Sequence, residues 1–146
     1  MNVQVEPLLV VGAAVVTDGR LLLVSKHAAP DVFYLPGGKP EAGETDDACL
    51  SREIAEELGA SIVTRSLLTV AVGVAALERT PMEMTVYRAT LDREPQPMGE
   101  IAALAWFSPE APFAEVVAPA VAESVVPALV AAGAFSVGLS RALCAG

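Results

Sequence analysis

The segment 45–58 predicts a short helix that crowds three glutamates onto one face. At about 100° per residue, and with Glu53 set to zero, Glu56 lies at about 300° and Glu57 at about 40°. Like charges three and four residues apart destabilise a helix by about a few tenths of a kcal/mol per pair. Something must therefore compensate this acidic face, and Arg52, at about 260°, lies beside it.

The ends and the apolar side of this helix are also indicated by the sequence. Thr45 is a suitable N-cap, and Gly59 follows the last helical residue, where a left-handed cap favours glycine. The side away from the glutamates holds Ile54, Leu58 and Ala55 at about 100°, 140° and 200°. We therefore expect these three residues to face the core.

The loop before the helix bears on two interpretations of the acidic face. Taken alone, the face is that of an ordinary solvated helix neutralised by Arg52. The preceding Gly37 and Gly38, however, permit a tight turn that brings a backbone carbonyl close to the helix, and Lys39 adds a cation. Carboxylates, a carbonyl and a cation together favour a site for hydrated divalent ions and phosphate oxygens.

Charge restricts the partners of the chain. Its 146 residues include 18 Asp and Glu against 9 Lys and Arg, which gives a net charge of −9. Such a surface repels a nucleic-acid polymer, and it repels a small anionic substrate unless cations intervene. His27 is the single histidine, so a multi-histidine zinc site is excluded. A metal site would use oxygen ligands, which favour Mg²⁺ or Mn²⁺.

The N-terminal sequence and the two cysteines favour the cytosol. Residues 1–7 lack the basic region of a signal peptide and carry Glu6. No stretch of about 18 residues is free of both charge and proline, so no membrane span is expected. Cys49 and Cys144 lie far apart and suggest no disulfide framework. We expect one cytoplasmic domain over residues 1–146.

Apolar runs and turn residues predict a mixed sheet with flanking helices, an α/β fold. Two apolar runs, 8–17 and 20–26, flank Asp18–Gly19, which is the pattern of a β-hairpin. The alanine-rich stretch 113–132 predicts one or two helices interrupted at its two prolines. The other expected elements are a loop at 27–31, strands at 33–35, 61–77, 82–91 and 104–107, and a loop at 92–100.

Residues 38–60 resemble the signature motif of the Nudix family. That motif is G-x5-E-x7-R-E-U-x-E-E-x-G-U, in which U is a bulky aliphatic residue. Every fixed position is met, and the one departure is Ala60, which is smaller than the usual aliphatic residue. Nine specified positions within 23 residues are far more specific than a lone glycine motif. The matching residues are Gly38, Glu44, Arg52, Glu53, Ile54, Glu56, Glu57 and Gly59.

The resemblance implies a hydrolase of nucleoside diphosphates linked to another group, built as an α/β/α sandwich with a mixed sheet. By similarity, Glu53, Glu56, Glu57 and the Gly38 carbonyl would hold one or more Mg²⁺ or Mn²⁺ ions. Such ions neutralise the phosphates and lower the pKa of the attacking water. Water would then attack phosphorus, and the remaining phosphate would leave.

Several roles stay open among these residues. Glu53 is the first choice for the general base, and Glu100 is the second, although Glu100 is equally well an ordinary loop carboxylate. Arg52 would pair with Glu44 and orient a catalytic glutamate. Lys39 is either a phosphate ligand or a solvated loop lysine. The candidate catalytic residues are therefore Glu53, Arg52, Glu56 and Glu100, and the candidate structural residues of the motif are Glu44 and Gly59.

Substrate choice lies outside the motif. ADP-ribose members of the family carry a downstream proline at a position that falls here on Ala75–Ala76, and the first proline after the motif is Pro81. The resemblance then leaves the broad MutT-like group, which acts on nucleoside and deoxynucleoside triphosphates. Its oxidised-guanine specialists read the base with a side-chain amide near the C-terminal helix, and no Asn or Gln falls there. The oxidised nucleotide 8-oxo-dGTP is therefore one substrate among several.

Two other functions stay open from the sequence. The first is a nucleotide-binding regulator that has lost catalysis, although the intact motif argues against it. The second is a structural or interaction protein whose acidic helix is merely solvated. An exposed apolar strand at 70–77 and the apolar C-terminal segment could also form a homodimer surface.

Overall fold

Two mixed β-sheets form the centre of the computed structural model, which describes residues 6–74 and 80–135. The strands are β1 (Leu8–Ala14), β2 (Val16–Thr17), β3 (Arg20–Lys26), β4 (Ala29–Tyr34), β5 (Gly37–Gly38), β6 (Ile62–Val74), β7 (Pro81–Leu91), β8 (Ile101–Phe107) and β9 (Val116–Val117). The first sheet has the order β5-β1-β7-β6, and the second has the order β2-β3-β4-β9 with β8 paired to β3. Each sheet contains one parallel pair, β1 with β7 and β4 with β9.

Helices cover opposite faces of the strands. They are α1 (Asp46–Leu58) on one face, and a π-helical turn (Val121–Val125) followed by α2 (Val126–Ala131) on the other. Leu22 and Val24 of β3 pack with α1, whereas Leu21 and Leu23 pack with the π-helical turn and α2. β3 is therefore buried on both faces, which explains its continuous apolar sequence. The predicted α/β/α sandwich with a mixed sheet is confirmed.

The helix predicted at 45–58 is confirmed together with both caps. The Thr45 hydroxyl accepts a hydrogen bond from the Ala48 N–H at 3.1 Å, and Gly59 has the left-handed conformation. The buried stripe, however, is centred at about 50° on the helix rather than near 140°. Ala55 is consequently exposed, which makes its predicted core position wrong, and Glu57 lies inside the buried stripe.

The predicted hairpin between residues 8–17 and β3 is wrong over most of its length. Only Val16–Thr17 pairs with β3, around the Asp18–Gly19 turn, whose φ angles of 52° and 73° fit a type I′ turn. β1 instead runs parallel to β7 in the other sheet. The chain changes sheets at Val15, whose carbonyl accepts a hydrogen bond from the Leu22 N–H at 2.9 Å. Both candidate partners of β1 contribute apolar residues to the core, so the residue pattern alone could not choose between them.

Other element boundaries also differ from the prediction. β4 begins at Ala29, inside the predicted loop at 27–31, and β8 begins at Ile101, before the predicted strand at 104–107. The strand predicted at 61–77 is observed as β6 up to Val74, and positions 75–77 lie outside the described residues. The two alanines that bear on ADP-ribose specificity therefore lie outside them as well. The loop predicted at 92–100 is confirmed.

The C-terminal helical region is shorter and more continuous than predicted. Val116–Val117 forms β9 beside β4, so the predicted helical stretch 113–132 begins too early. Residues 119–131 are then helical without a gap. The Val126 N–H donates to the carbonyl of Val121, five residues earlier, and Pro127, which has no N–H to donate, directly follows this wider π-helical turn inside the continuous helix. No helix in the described ranges is long and apolar enough to cross a membrane.

Gly37, in β5, is the described glycine at which the backbone of the neighbouring strand β1 leaves the least space for a side chain. It has φ 148°, and a Cβ there would fall on the Val11 carbonyl oxygen and lie 2.9 Å from the Gly12 Cα. Gly43 has φ 78° but has no neighbour within 4 Å of an added Cβ. Both glycines therefore have a positive φ angle that disfavours other residues. Of the two, only Gly37 also lacks the space for a side chain.

We expect Gly37→Ala to lower the free energy of unfolding by well over the cost of Gly43→Ala, which is about 1–2 kcal/mol for a left-handed alanine. The added methyl group at position 37 must push β5 away from β1, because it meets backbone that cannot rotate aside. Urea unfolding of both variants measures the difference. Equal losses in the two variants would contradict this steric role.

Candidate active site

Arg52 connects the carboxylates of the motif. Its Nε and Nη2 donate to the two carboxylate oxygens of Glu44 at 2.8 and 2.9 Å. Its Nη1 donates to Glu53 Oε1 at 2.8 Å and to Glu56 Oε2 at 3.4 Å. Nη2 also donates to the Lys39 carbonyl at 3.3 Å. One guanidinium group therefore ties the loop before α1 to the acidic face of the helix.

The hydrogen bonds of this network favour the charged forms of both Glu44 and Arg52. The hydrogen bonds from Arg52, with that from the Glu41 N–H, lower the pKa of Glu44 to about 2. The same bonds raise the pKa of Arg52 further above its already high value. Glu44 and Arg52 are consequently a permanent ion pair at neutral pH, as the resemblance to the Nudix motif implied.

Glu57 is the unusual carboxylate of the site. Its side chain belongs to a residue only 2% exposed, and its Oε1 accepts a hydrogen bond from the Gly37 N–H at 3.2 Å. Its Oε2 is buried and has no hydrogen-bond partner among the residues that the structure describes. Burial raises the pKa of Glu57, and the neighbouring Glu53 carboxylate raises it further. An oxygen in this condition favours either a proton or a bound cation.

Gly38 lies against the helix, as the glycine turn predicted. A Cβ on Gly38 would lie 2.6 Å from the Glu53 Cδ, so a larger residue would displace the end of that flexible side chain. The Gly38 carbonyl is 3.8 Å from the Cys49 Sγ. Burial raises the pKa of Cys49 to about 11, which makes this thiol a packing group rather than a nucleophile.

The acidic side chains are not gathered around a single point. Within residues 6–74 and 80–135, no three His, Cys, Asp or Glu side chains form a ready ligand cluster. Glu53 and Glu56 turn toward Arg52, whereas Glu57 turns inward toward Gly37. We call α1 the glutamate helix after Glu53, Glu56 and Glu57, each of which accepts a hydrogen bond from Arg52 or from the Gly37 N–H.

A cavity of about 440 Å³ opens beside this helix. Its polar wall includes Gly38, Lys39, Arg52, Glu53 and Glu100 from the set of predicted site residues. Glu56 is exposed and Glu57 is buried, and neither lines the cavity. Of the two structural residues, Glu44 holds Arg52 and Gly59 ends the helix.

Most of the remaining residues that line the cavity are apolar; we call them the apolar wall, and the sequence reasoning missed them. Met82 and Met84 come from one face of β7, and their spacing of two is the only signal that could have placed them together. The other residues of this wall are Leu8, Val10, Tyr34, Leu35, Ala118, Pro119, Ala120 and Val121. Lys26, which the sequence reasoning also overlooked, lines the cavity as well. The cavity therefore suits a ligand with an anionic end and an apolar end.

The sequence matches the family model of the NUDIX domain over residues 7–129. A 57-residue stretch, 37% of the chain, is 42% identical to a Mycobacterium tuberculosis protein named "Putative 8-oxo-dGTP diphosphatase 2". That stretch spans only 40% of the length of the mycobacterial protein.

Solved structures agree over a larger part of the chain. The MutT NUDIX hydrolase of Burkholderia pseudomallei is 31% identical, with a TM-score of 0.69, and the match covers 86% of this chain and 97% of that one. The ORF135 protein of E. coli is 25% identical, with a TM-score of 0.67, and the match covers 84% and 88% of the two chains. With the signature motif, the Arg52 network and the sandwich fold already in place, these matches show that the chain belongs to the Nudix hydrolase family.

Proposed function

We propose that the protein hydrolyses a phosphoanhydride bond in a nucleoside triphosphate or a nucleoside diphosphate derivative, with Mg²⁺ or Mn²⁺ as cofactor. The observation that carries this proposal is one cavity whose lining includes both Arg52 and Glu53 of α1 and the apolar wall. A nucleotide has matching parts, since its phosphates are anionic and its base has planar aromatic faces that pack on apolar side chains. The volume, about 440 Å³, falls within the usual range for small-molecule sites.

The donor set fits a hard divalent cation. Glu53, Glu56 and Glu57 supply carboxylate oxygens, and Gly38 supplies a backbone carbonyl, which are the ligands that Mg²⁺ and Mn²⁺ prefer. The buried Glu57 oxygen that has no partner among the described residues supports this assignment, because a cation would satisfy it. When bound, the cation supplies neutralisation of the phosphate charge and activation of the attacking water.

The side chains of the site divide the remaining work. Glu53 accepts the proton of the water that attacks phosphorus, and the anhydride oxygen leaves with the departing phosphate. Arg52 fixes the Glu53 carboxylate through its 2.8 Å hydrogen bond, and Glu44 fixes Arg52. Lys39, which is exposed on the cavity wall, binds a phosphate oxygen. Glu100 is the second candidate for the proton acceptor, since it lies on the same wall.

The substrate is best sought among nucleoside and deoxynucleoside triphosphates. Similarity to the mycobacterial protein named "Putative 8-oxo-dGTP diphosphatase 2" and to the MutT NUDIX hydrolase of Burkholderia supports this choice. The oxidised nucleotide 8-oxo-dGTP belongs in the panel as one member among several. Steady-state release of phosphate or pyrophosphate from such a panel identifies the preferred substrate.

Two further sequence predictions stay predictions. The first is a cytosolic location. The second is a homodimer through the strand at 70–77, of which Val70 and Val72 are exposed in β6 and positions 75–77 lie outside the described residues. Sedimentation equilibrium is the direct check of the second.

We expect Glu53→Gln to lower kcat by about 10²–10⁴-fold while the fold is retained, because an amide cannot accept the proton of the attacking water. Steady-state assays of phosphate release measure the loss of catalysis, and urea unfolding shows whether the variant has also lost stability. Glu123→Gln, an exposed glutamate of the π-helical turn, is the matched control and keeps full turnover. Wild-type turnover in Glu53→Gln would remove this role. If the wild-type protein binds nucleotides tightly but does not hydrolyse them, the nucleotide-binding regulator that has lost catalysis is favoured instead.

We expect Mg²⁺ or Mn²⁺ to raise the melting temperature of the wild-type protein, because a ligand that binds the native state stabilises it. At a cation concentration of about 100 times Kd, the gain is about 2.7 kcal/mol. Glu57→Gln should shrink the shift, since it removes a buried anionic ligand. Differential scanning fluorimetry with and without EDTA measures both. No shift in the wild-type protein would instead support the solvated acidic helix.

We expect the Glu44–Arg52 pair to contribute stability that disappears in acid. The pKa of Glu44 is about 2 in the folded protein against an ordinary value of 4.5. The stabilisation from the pair is therefore present above about pH 4.5 and is lost as the pH falls toward 2. The difference in unfolding free energy between wild type and Glu44→Gln should therefore shrink over that range. Urea unfolding at several pH values measures it. Glu41→Gln, a mostly exposed carboxylate 3.8 Å from Arg52, should keep the acid loss of the wild type.

A further inference from the structure

Lys26 and Glu100 form an ion pair on the cavity wall. The Lys26 Nζ lies 3.3 Å from Glu100 Oε1, and the two side chains are 26% and 61% exposed. Both residues line the cavity. The His27 N–H donates to the Glu100 carbonyl at 3.0 Å, which fixes the Glu100 backbone beside the end of β3. The pair therefore has a defined position, although its acidic member is mostly in solvent.

The cations on this wall are not equally available to a ligand. Arg52 already donates to Glu44, Glu53 and Glu56, so its charge is compensated by the protein. Lys26 is held in one ion pair within the described residues, and its Nζ lies 5.6 Å from the centre of the Tyr34 ring. An ion pair with an exposed carboxylate is worth about 0–1 kcal/mol. A polyphosphate can therefore displace Glu100 at small cost.

We propose that Lys26 binds a phosphate oxygen of the nucleotide and gives up Glu100 in doing so, an inference that rests on the proposed function. Glu100 then acts as an internal competitor that occupies the ammonium group until a more highly charged anion arrives. Lys26 also lies beside Tyr34, which belongs to the apolar wall. The phosphate that it contacts is therefore one close to the nucleoside, whereas Lys39 serves the phosphates nearer the glutamate helix.

This arrangement explains how a chain of net charge −9 admits an anionic substrate. A lysine held by several carboxylates would be closed to the substrate, whereas a lysine held by one mostly exposed carboxylate stays open to a stronger anion. A polyphosphate carries several negative charges and therefore outcompetes the single carboxylate of Glu100 for Lys26.

Isothermal titration with a methylene-bridged nucleoside triphosphate, which resists hydrolysis, tests the exchange in the presence of Mg²⁺. Lys26→Gln should weaken binding about tenfold or more, because a charge-assisted contact is lost. Glu100→Gln should tighten binding severalfold, because the competitor is removed. In the Lys26→Gln background, Glu100→Gln should have little effect, since its influence on affinity passes through Lys26.

Matched controls separate this exchange from a general charge effect. Arg20→Gln removes a cation from the other end of the same strand, and Glu94→Gln removes an exposed carboxylate from the same loop as Glu100. Both should leave the affinity unchanged. Lys26→Arg retains the charge and should bind within a few-fold of wild type, and urea unfolding of Lys26→Gln shows whether its loss of binding is a folding defect. Steady-state assays should show a raised KM in Lys26→Gln with a smaller change in kcat.

The outcomes distinguish this inference from the proposed function. If the wild type binds and hydrolyses nucleotides but Lys26→Gln binds equally well, the exchange is overturned and the proposed function stands. If Glu100→Gln tightens binding to the same extent with and without Lys26, Glu100 acts through the general field and the exchange is again overturned. If the wild type binds no nucleotide of the panel, both proposals fail together.

Discussion

The guanidinium group of Arg52 is the interaction on which the site depends. It accommodates Glu44, Glu53 and Glu56 at once and also reaches the carbonyl of Lys39. Without that compensation, neighbouring carboxylates on one turn of a helix would repel each other, and Glu44 and Lys39 of the preceding loop would lose their hydrogen bonds to the helix. The same contacts determine where the loop can lie, so charge compensation and backbone placement have one cause. An acidic helix of this kind is stable because its repulsion is absorbed locally, before any ligand binds.

Burial of Glu57 is the second constraint, and it follows from the first sheet. α1 packs with its stripe centred on that glutamate, and the Gly37 N–H meets one of its oxygens. The packing that stabilises the helix therefore also places a carboxylate in a poorly solvated position. Fold and chemistry are coupled at this residue, since apolar contacts of Leu50 and Ile54 hold a polar group where only a proton or a cation can satisfy it.

The sequence alone predicted those features that are local. The caps at Thr45 and Gly59 and the Asp18–Gly19 turn each depend on a few adjacent residues, and the structure contains all three. Features that depend on partner choice were not predictable. Apolar strands such as β1 fit either sheet equally well, and the burial of Glu57 depends on which arc of α1 meets those sheets. The apolar wall was missed for the same reason, because Met82 and Met84 become wall residues only through the parallel pairing of β7 with β1.

β6 has a consequence for the handling of the protein. It lies at the end of its sheet in the described part of the chain, and it exposes Val63, Leu67, Val70 and Val72. A long apolar edge free of lysine is the kind of surface onto which another extended chain adds by backbone hydrogen bonding. During refolding at high protein concentration, partly folded molecules would associate first through the edge of β6. Dilution, or a lysine introduced at an outward position of β6, would then improve the yield of native protein.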